Sequence, residues 1–151
     1  MDEIVLHEME MHDIPRVLEI ERISFSEPWS ESAFLNEILK SYAFNRVAVR
    51  GNSVIGYICV NYIIDEGHIL NLAVDPDFRR QGVATILMNG AIHELRRKGC
   101  DYLYLEVRTS NTAAKRFYER FGFAVAGIRK DYYLFPKEDA VIMMGRLQES
   151  G

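Results

Sequence analysis

A short basic turn joins two patterned segments in the middle of the chain. Residues 79–84 read Arg-Arg-Gln-Gly-Val-Ala; they follow an apolar run at 68–74 that resembles a strand and precede an amphipathic segment with helical spacing. The first turn of a helix has backbone N–H groups without partners, and the helix dipole strengthens their attraction for anions. The turn therefore predicts a strand joined directly to a helix, with a binding site for a diphosphate at the junction.

The spacing within this turn differs from that of the two common phosphate-binding loops. The chain contains neither the GxxxxGK(S/T) loop nor the GxGxxG loop of dinucleotide-binding folds. Arg79, Gly82 and Ala84 instead occupy the first, fourth and sixth positions of the pattern (Arg/Gln)-x-x-Gly-x-(Gly/Ala). A basic turn that only caps a surface helix would read the same way. The neighbouring segments must therefore decide between a cofactor loop and a cap.

The spacing of apolar residues predicts the order of strands and helices. Strands are predicted at 4–7, 44–49, 54–62, 68–74, 102–107, 123–129 and 140–146. Helices are predicted from the Asp13-Ile14-Pro15 cap to about residue 25, after Ser30 with apolar positions Phe34, Leu35, Ile38 and Leu39, at about 82–98, and at 112–121. Gly51-Asn52 indicates a hairpin. The order βααβββαβαββ predicts an α/β (α+β) fold with a mixed, mostly antiparallel sheet flanked by helices on both sides.

Length and composition indicate one globular domain spanning residues 1–151. A formal net charge of -4 argues against direct binding of nucleic acid, because such proteins usually carry a basic surplus. The 2 cysteines and 4 scattered histidines lack metal-ligand spacing, so no metal site is predicted. The absence of a signal-peptide pattern and of a membrane-spanning run predicts a cytoplasmic protein with no membrane partner. The composition indicates no oligomeric state.

A second informative stretch runs from residue 104 to residue 123 and combines a strand with a helix. Alternation along the strand puts Glu106 on the same sheet face as Tyr102 and Tyr104. Helical spacing puts Tyr118 on the apolar stripe of the following helix. Each residue also has a structural explanation, because Glu106 can point to solvent, Asn111 can be a helix N-cap, and Tyr118 can be a packed tyrosine. Function therefore has to be inferred from the combination of segments.

Several segments together resemble the GNAT family of N-acetyltransferases across nearly the whole chain. They are Glu27-Pro28-Trp29-Ser30, Asn71-Leu72-Ala73-Val74-Asp75-Pro76, the 79–84 turn, Leu105-Glu106-Val107-Arg108, Asn111 with Ala113-Ala114, Tyr118-Glu119 before Phe121-Gly122-Phe123, and Arg129-Lys130-Asp131-Tyr132-Tyr133. At these residues the chain looks like the ribosomal-protein alanine N-acetyltransferase group, RimI. The resemblance implies the GNAT fold, acetyl-CoA as co-substrate and a protein N-terminus as acceptor.

The resemblance also implies roles for individual residues. Glu106 would be the general base, and Tyr118 would be the general acid. Acetyl-CoA would be held by one strand end, by the basic turn and by the start of the last helix, at Leu72, Ala73, Val74, Arg80, Gln81, Gly82, Val83, Ala84, Thr85 and Asn111. In the acceptor loop, Tyr132-Tyr133 is followed by Leu134-Phe135-Pro136 rather than immediately by proline. This departure concerns acceptor specificity more than catalysis.

The chemistry of acetyl transfer asks for similar groups. Transfer from a thioester to an amine needs a neutral amine, stabilisation of the carbonyl oxyanion and a proton for the thiolate. At pH 7 about a tenth of α-amino groups, but well under a thousandth of lysine side chains, are neutral. Glu106 can remove a proton if its surroundings raise its pKa from about 4.3, whereas Tyr118, with an ordinary pKa of about 10, stays protonated. Backbone N–H groups near Leu72 can face the thioester oxygen if the strand bulges or splays.

The acceptor side has the least support from the sequence. Pro28-Trp29 and Tyr132-Tyr133 lie in predicted connections and are expected to wall the groove opposite the cofactor. Trp29 has an equally good explanation as a staple that packs its helix onto the core. The sequence therefore leaves both explanations of Trp29 open.

These features predict an acetyl-CoA-dependent N-acetyltransferase that acts on a protein N-terminus, with the N-terminal alanine of a ribosomal protein as the first acceptor to consider. Direct transfer in a ternary complex is expected, because neither Cys59 nor Cys100 lies where a covalent acyl relay is suggested. Two alternatives stay open. One is a GNAT enzyme that acetylates a small amine or a lysine side chain, and the other is a non-catalytic domain that binds acyl-CoA.

Overall fold

A mixed seven-stranded sheet forms the centre of the chain in a computed structural model, which describes residues 3–148. Its strands are β1 (Ile4–Glu8), β2 (Ala43–Arg50), β3 (Ser53–Ile63), β4 (Glu66–Val74), β5 (Tyr102–Arg108), β6 (Ala124–Leu134) and β7 (Lys137–Arg146), in the spatial order β1-β2-β3-β4-β5-β7-β6. Within the described residues, β4 and β5 form the one parallel pair. The predicted mostly antiparallel sheet is confirmed, while the predicted domain of residues 1–151 extends at both ends beyond the described residues.

Helices cover both faces of the sheet, as predicted. They are α1 (Ile14–Ser24), α2 (Glu31–Ile38), α3 (Val83–Arg97) and α4 (Thr112–Glu119), with short 3-10 turns at 11–13 and 76–78. On one face, α1 and α2 enclose a core in which the ring of Phe34 meets the ring of Tyr57 edge to face at 5.8 Å. The element order therefore matches the predicted βααβββαβαββ.

α3 covers the other face of the sheet through the apolar stripe that its sequence predicts. Val83, Leu87, Ala91 and Leu95 are all at most 2% exposed. Burying a large apolar side chain contributes about 1.5–3 kcal/mol, so this stripe is sufficient to hold the helix on the sheet. It also fixes the position of the basic turn, because that turn leads directly into α3.

The ends of the helices follow the predicted capping residues with two differences. Ser30 and Asn111 cap α2 and α4, because their side chains accept hydrogen bonds of 3.1 and 3.0 Å from backbone N–H groups three residues later. Asp13 precedes α1 as predicted, but its carboxylate accepts from the N–H of Glu10 instead of from the helix. The prediction that Leu39 lies on the apolar face of α2 is wrong, because the helix ends one residue earlier and this side chain is 81% exposed.

The C-terminal hairpin is longer than predicted. β6 runs five residues past the predicted end at 129, and β7 begins before the predicted start at 140. The regular alternation of side chains is lost within the added part of the hairpin, because residues 130–132 have no register partner in β7. Asp131 has a left-handed φ of 53°, and its N–H donates to Asp139 Oδ1 at 2.8 Å. The prediction that Tyr132 and Tyr133 lie in a connection is therefore wrong, and both belong to β6.

Candidate active site

β4 and β5 separate after a short parallel stretch and leave a cavity of about 500 Å³ between their diverging ends. Their register ends where His68 lies opposite Tyr104, although both strands continue beyond this pair. Residues 69–72 of β4 and 105–108 of β5 line the cavity instead of pairing with one another. The divergence of β4 and β5 thus opens the cavity within the sheet.

β4 also bulges beside this cavity. Ile69 and Asn71 pair with consecutive residues of β3, so Leu70 is an extra residue in β4. A bulge bends a strand and disturbs its ladder of hydrogen bonds. The sequence analysis requires β4 to bulge or splay if backbone groups near Leu72 are to face a substrate, and β4 does both.

Glu106 projects from β5 into the cavity, and only 7% of its side chain is exposed. Its Oε2 lies 2.6 Å from His68 Nε2, and its Oε1 accepts from Arg129 Nε at 3.2 Å. Burial alone would raise the pKa of Glu106, but the hydrogen bond and charge of His68 and the charge of Arg129 outweigh burial and hold this pKa below its ordinary value. The raised pKa that direct removal of an ammonium proton requires is therefore not found.

His68 and Arg129 surround Glu106 although the sequence did not assign them to the site. The imidazole of His68 stacks on the ring of Tyr104 with centroids 4.2 Å apart and an interplanar angle of 7°. Its position depends on the parallel pairing of β4 with β5, while Arg129 reaches the carboxylate from β6. The available signals were weak, since His68 only begins a predicted strand and Arg129 only belongs to a segment of the GNAT resemblance.

Tyr118 reaches the same cavity from α4. Its side chain packs into the core with its ring 6.0 Å from that of Phe123, and the residue is 8% exposed. Among residues 3–148, its hydroxyl group has no hydrogen-bond partner. Burial, with a smaller contribution from Tyr133, raises the pKa of Tyr118, so the phenol is protonated at neutral pH. The structure thus brings the two predicted catalytic residues together.

Aromatic side chains from the α1–α2 segment and from β6 form another wall of the cavity. Trp29, Tyr132 and Tyr133 all line it, and the two tyrosine rings meet edge to face at 5.0 Å. Trp29 also packs on Phe34 with ring centroids 5.1 Å apart. Both explanations of Trp29 therefore hold, because the residue packs on α2 and lines the cavity.

A buried carboxylate, Glu21, ties this wall to the sheet. Glu21 is 1% exposed and lines the cavity; it accepts hydrogen bonds from Trp29 N at 2.9 Å and from Asn71 Nδ2. The hydroxyl group of Tyr57 donates to the same carboxylate. Buried carboxylates need such donors, because desolvation is costly. The sequence analysis did not identify Glu21, although a charged residue on the apolar stripe of α1 was an available signal.

The basic turn has left-handed backbone geometry next to the start of α3. Arg80 has a φ of 63° and Gly82 a φ of 79°, and α3 begins at Val83. Turn conformations of this kind aim consecutive N–H groups into a concavity that suits an anion. The turn does not line the cavity of Glu106 and Tyr118, but it follows β4, which does.

The other residues predicted to hold acetyl-CoA lie along β4, the turn, α3 and the start of α4. Leu72 and Asn111 line the cavity, Ala73 and Val83 are buried, Val74 and Ala84 are partly buried, and Gln81 and Thr85 are exposed. A side chain buried in the core is not free to contact a ligand. Ala73 and Val83 can therefore take part only through backbone groups, as the sequence analysis expects for residues 72–74.

Cys59 and Cys100 are free thiols buried away from the cavity. Burial raises the pKa of both thiols, which makes them poor nucleophiles. Within residues 3–148, no group of three or more His, Cys, Asp or Glu side chains is placed to hold a metal ion. No helix in this part of the chain is long and apolar enough to cross a membrane.

Comparison with known sequences identifies the family. A model of the acetyltransferase (GNAT) family matches residues 14–123. The chain is 37% identical over 137 residues to the ribosomal protein bS18-alanine N-acetyltransferase of Escherichia coli (strain K12), which covers 89% of this chain and 92% of the relative. It is 39% identical over 134 residues to the enzyme of the same name from Haemophilus ducreyi, with coverage of 87% and 92%.

Comparison with solved structures agrees. The crystal structure of the ribosomal-protein-S18-alanine N-acetyltransferase from Escherichia coli has a TM-score of 0.90 to this chain at 34% identity, covering 99% of this chain and 97% of that one. The resemblance to the GNAT family and to the RimI group is confirmed. The chain belongs to the GNAT family of acetyltransferases.

Proposed function

We propose that this enzyme transfers an acetyl group from acetyl-CoA directly to the α-amino group of a protein N-terminus, with the N-terminal alanine of ribosomal protein bS18 as its acceptor. The observation that carries the proposed reaction is the presence of Glu106 and Tyr118 in one cavity between splayed strands. The acceptor is supported by relatives whose names state this activity. A ribosomal acceptor implies that the enzyme works in the cytoplasm. One domain spanning residues 1–151 is part of the same proposal and is supported by the length and composition of the chain.

The residues of this chain fit acetyl-CoA, the co-substrate of the family, at two places. The turn with left-handed Arg80 and Gly82 leads into α3, which no side chain of the described residues caps, and this suits a diphosphate. The splayed end of β4 offers backbone groups to the pantetheine arm. We assign acetyl-CoA binding to residues 72–74, residues 80–85 and Asn111. When bound, acetyl-CoA supplies the activated thioester.

Glu106 assists the incoming amine in two ways. Its lowered pKa keeps the carboxylate ionised at neutral pH, so the charge attracts the ammonium form of the N-terminus. With an α-amino pKa of about 7.7–8.0, formation of the neutral amine at pH 7 costs only about 1 kcal/mol. Formation of the neutral amine removes one proton from the ammonium group. A second proton leaves the nitrogen as the C–N bond forms. The nitrogen is then strongly acidic, and a weakly basic carboxylate is sufficient to accept the proton directly or through water.

The contacts of Glu106 with His68 and Arg129 favour an α-amino acceptor over lysine. A lysine side chain has a pKa of about 10.4, so forming its neutral amine at pH 7 costs about 5 kcal/mol. A base with a lowered pKa cannot compensate for this cost. The electrostatics of the site thus agree with the acceptor that the relatives suggest.

Tyr118 is assigned as the proton donor to the departing thiolate. Its raised pKa keeps the phenol protonated, and none of residues 3–148 competes for its hydroxyl hydrogen. The free thiols lie outside the cavity, so the chain offers no cysteine nucleophile there. Direct transfer to the amine is the route that these residues support.

Mass spectrometry of peptides incubated with the enzyme and acetyl-CoA tests the proposed function. The acceptors are a peptide with the bS18 N-terminus and a free N-terminal alanine, the same peptide with a blocked N-terminus, and a peptide whose one amine is an internal lysine. Acetylation of the free N-terminus alone is expected. Modification of lysine would favour a different acceptor class. Binding of acetyl-CoA without modification of any acceptor would indicate a non-catalytic domain.

Gly82→Ala is expected to raise the KM for acetyl-CoA by about tenfold, because an alanine at a left-handed φ costs about 1–2 kcal/mol and reshapes the turn. The effect is conformational, since at this φ of 79° no heavy atom apart from those of residue 82 and its chain neighbours lies within 4 Å of the added Cβ. Gly99→Ala is the matched control, with a φ of 85° and equally open space. Steady-state kinetics should show the rise in KM in the Gly82 variant alone. Equal rises in the KM for acetyl-CoA in both variants would contradict the assignment of the turn to the cofactor site.

A further inference from the structure

Little apolar burial holds the tip of the β6–β7 hairpin, although Tyr132 and Tyr133 beside this tip line the cavity. Leu134 is 61% exposed and Phe135 is 69% exposed. Residues 130–132, which have no register partner in β7, separate the tip from the regular part of the sheet. Segments with few buried contacts open easily unless something else orders them. The position of the two tyrosines therefore depends on what binds the tip.

Arg108, the last residue of β5, binds the tip through its guanidinium group. Nη2 donates to the carbonyl oxygen of Phe135 at 3.0 Å, and Nη1 donates to that of Pro136 at 2.8 Å. Nη2 also donates to Ser26 Oγ at 3.0 Å. The guanidinium carbon lies 4.2 Å from the centroid of the Tyr133 ring, in cation–π contact. One planar group thus joins β5, the hairpin tip and the α1–α2 segment.

Glu27 binds the same tip from the α1–α2 segment. Its Oε1 accepts from the N–H of Leu134 at 2.7 Å and from the N–H of Phe135 at 2.6 Å. Arg108 therefore binds carbonyl groups of the tip, and Glu27 binds its N–H groups. Glu138 Oε1 adds an ion pair of 3.2 Å with Arg108 Nη1, which holds the guanidinium in place. Hydrogen bonds that involve a charged group are worth about twice as much as neutral ones.

We propose that Arg108 and Glu27 form a clasp that positions Tyr132 and Tyr133 for binding of the acceptor. The proposal rests on the proposed function, because it takes the acceptor to be a peptide that enters this part of the cavity. The hydrogen bonds of the clasp run to the hairpin and to the α1–α2 segment, not to the basic turn or α3. Both residues are positioning residues for the acceptor and not for acetyl-CoA.

Arg108→Gln is expected to raise the KM for the peptide by about tenfold, with the KM for acetyl-CoA unchanged within about twofold. Arg108→Lys should not restore the peptide KM, because an ammonium group lacks the planar fork that binds two carbonyl groups and stacks on a ring. Arg97→Gln, at the exposed end of α3, is the matched control and should leave both constants unchanged. An unchanged peptide KM in the Arg108→Gln enzyme, or equal rises in both constants, would overturn the proposal.

Substitutions of Glu27 distinguish two possible roles of this residue. It either positions the hairpin tip or attracts the ammonium group of the acceptor by its charge. Glu27→Gln keeps an oxygen that can accept from both N–H groups, so it should retain most of the affinity for the peptide. Glu27→Ala removes this acceptor and should raise the peptide KM about as much as Arg108→Gln. If Glu27 acted through its charge on the incoming ammonium, glutamine and alanine would be equally harmful, and the clasp would be wrong for this residue.

Hydrogen exchange measured by mass spectrometry tests the clasp without any acceptor. Peptides covering residues 133–136 should exchange faster in the Arg108→Gln and Glu27→Ala proteins than in the unmodified protein, and the Arg97→Gln protein should match the latter. Unchanged exchange in both clasp variants would overturn the proposal whatever their kinetics. Failure of the unmodified protein to acetylate any peptide would instead contradict the proposed function, and the exchange result would still decide whether the clasp exists.

Discussion

Glu106→Gln is expected to lower kcat by about 10²–10⁴-fold, the usual contribution of a general base, which is the role we propose for Glu106, while leaving the affinity for acetyl-CoA unchanged. Glutamine keeps the size of the side chain but has no negative charge for the ammonium group and no basic oxygen for the proton. The residues assigned to acetyl-CoA lie on β4, the basic turn, the first turn of α3 and the start of α4, so the substitution leaves them intact. Kinetics with a peptide acceptor measure kcat, and equilibrium titration with CoA measures the affinity.

The control for this substitution is Glu119→Gln, on the exposed surface at the end of α4, which should change neither quantity. If the Glu106→Gln enzyme had the kcat of the unmodified protein, the carboxylate would have no role in the mechanism. The pH dependence adds a second check. Because the pKa of Glu106 lies below its ordinary value, the carboxylate stays ionised throughout the neutral range and loses its charge only in acid. The rate should therefore rise towards about pH 8, where the α-amino group of the acceptor loses its proton.

Local features of the site were predictable from the sequence. The spacing of the 79–84 turn, the apolar stripe of α3 and the Asn111 cap each depend on residues within a few positions of one another. Short-range signals of this kind survive in any tertiary context that keeps the helix and the strand. They were sufficient for the order of helices and strands and for the fold class, whereas the joint roles of Glu106 and Tyr118 were implied only by the resemblance to the GNAT family.

The electrostatic surroundings of Glu106 were not predictable in the same way. His68 lies 38 positions away and Arg129 lies 23 positions away, and both contacts depend on the order and register of the strands. The sequence analysis considered the flanking tyrosines, which neighbour Glu106 on its own strand. The structure adds His68 and Arg129 from other strands, and their contacts with Glu106 reverse the direction of the pKa shift.

The hairpin shows a further limit of periodicity. Period-2 alternation predicts a strand only while the register is regular, and residues 130–132 interrupt it opposite the single residue Asp139. Asp131 adopts its left-handed φ although it is not glycine, so the sequence carried no clear signal for this bend. Tyr132 and Tyr133 therefore looked like loop residues, although they belong to a strand that reaches the cavity.

Tyr118→Phe is expected to lower kcat by about 10²–10⁴-fold, because it removes the group that we propose as the proton donor for the thiolate. The hydroxyl group has no hydrogen-bond partner among residues 3–148, so its loss leaves no donor or acceptor unpaired and should change the free energy of unfolding by less than about 0.5 kcal/mol. Tyr57→Phe is the contrasting variant, because it leaves the buried carboxylate of Glu21 short of one donor. That loss should destabilise the fold by about 1–3 kcal/mol. Denaturant unfolding compares the two variants with the unmodified protein.

The identity of the leaving group separates the role of Tyr118 from that of Glu106. An acetyl thioester with a more acidic thiol needs less help from a proton donor, because its thiolate is more stable. This thioester should restore the rate of the Tyr118→Phe enzyme much more than the rate of the Glu106→Gln enzyme, because the defect proposed for the Glu106→Gln enzyme lies at the amine. Equal recovery of both variants would contradict the assignment of Tyr118 to the thiolate, and the phenol would then have to act on the carbonyl oxygen or on the acceptor.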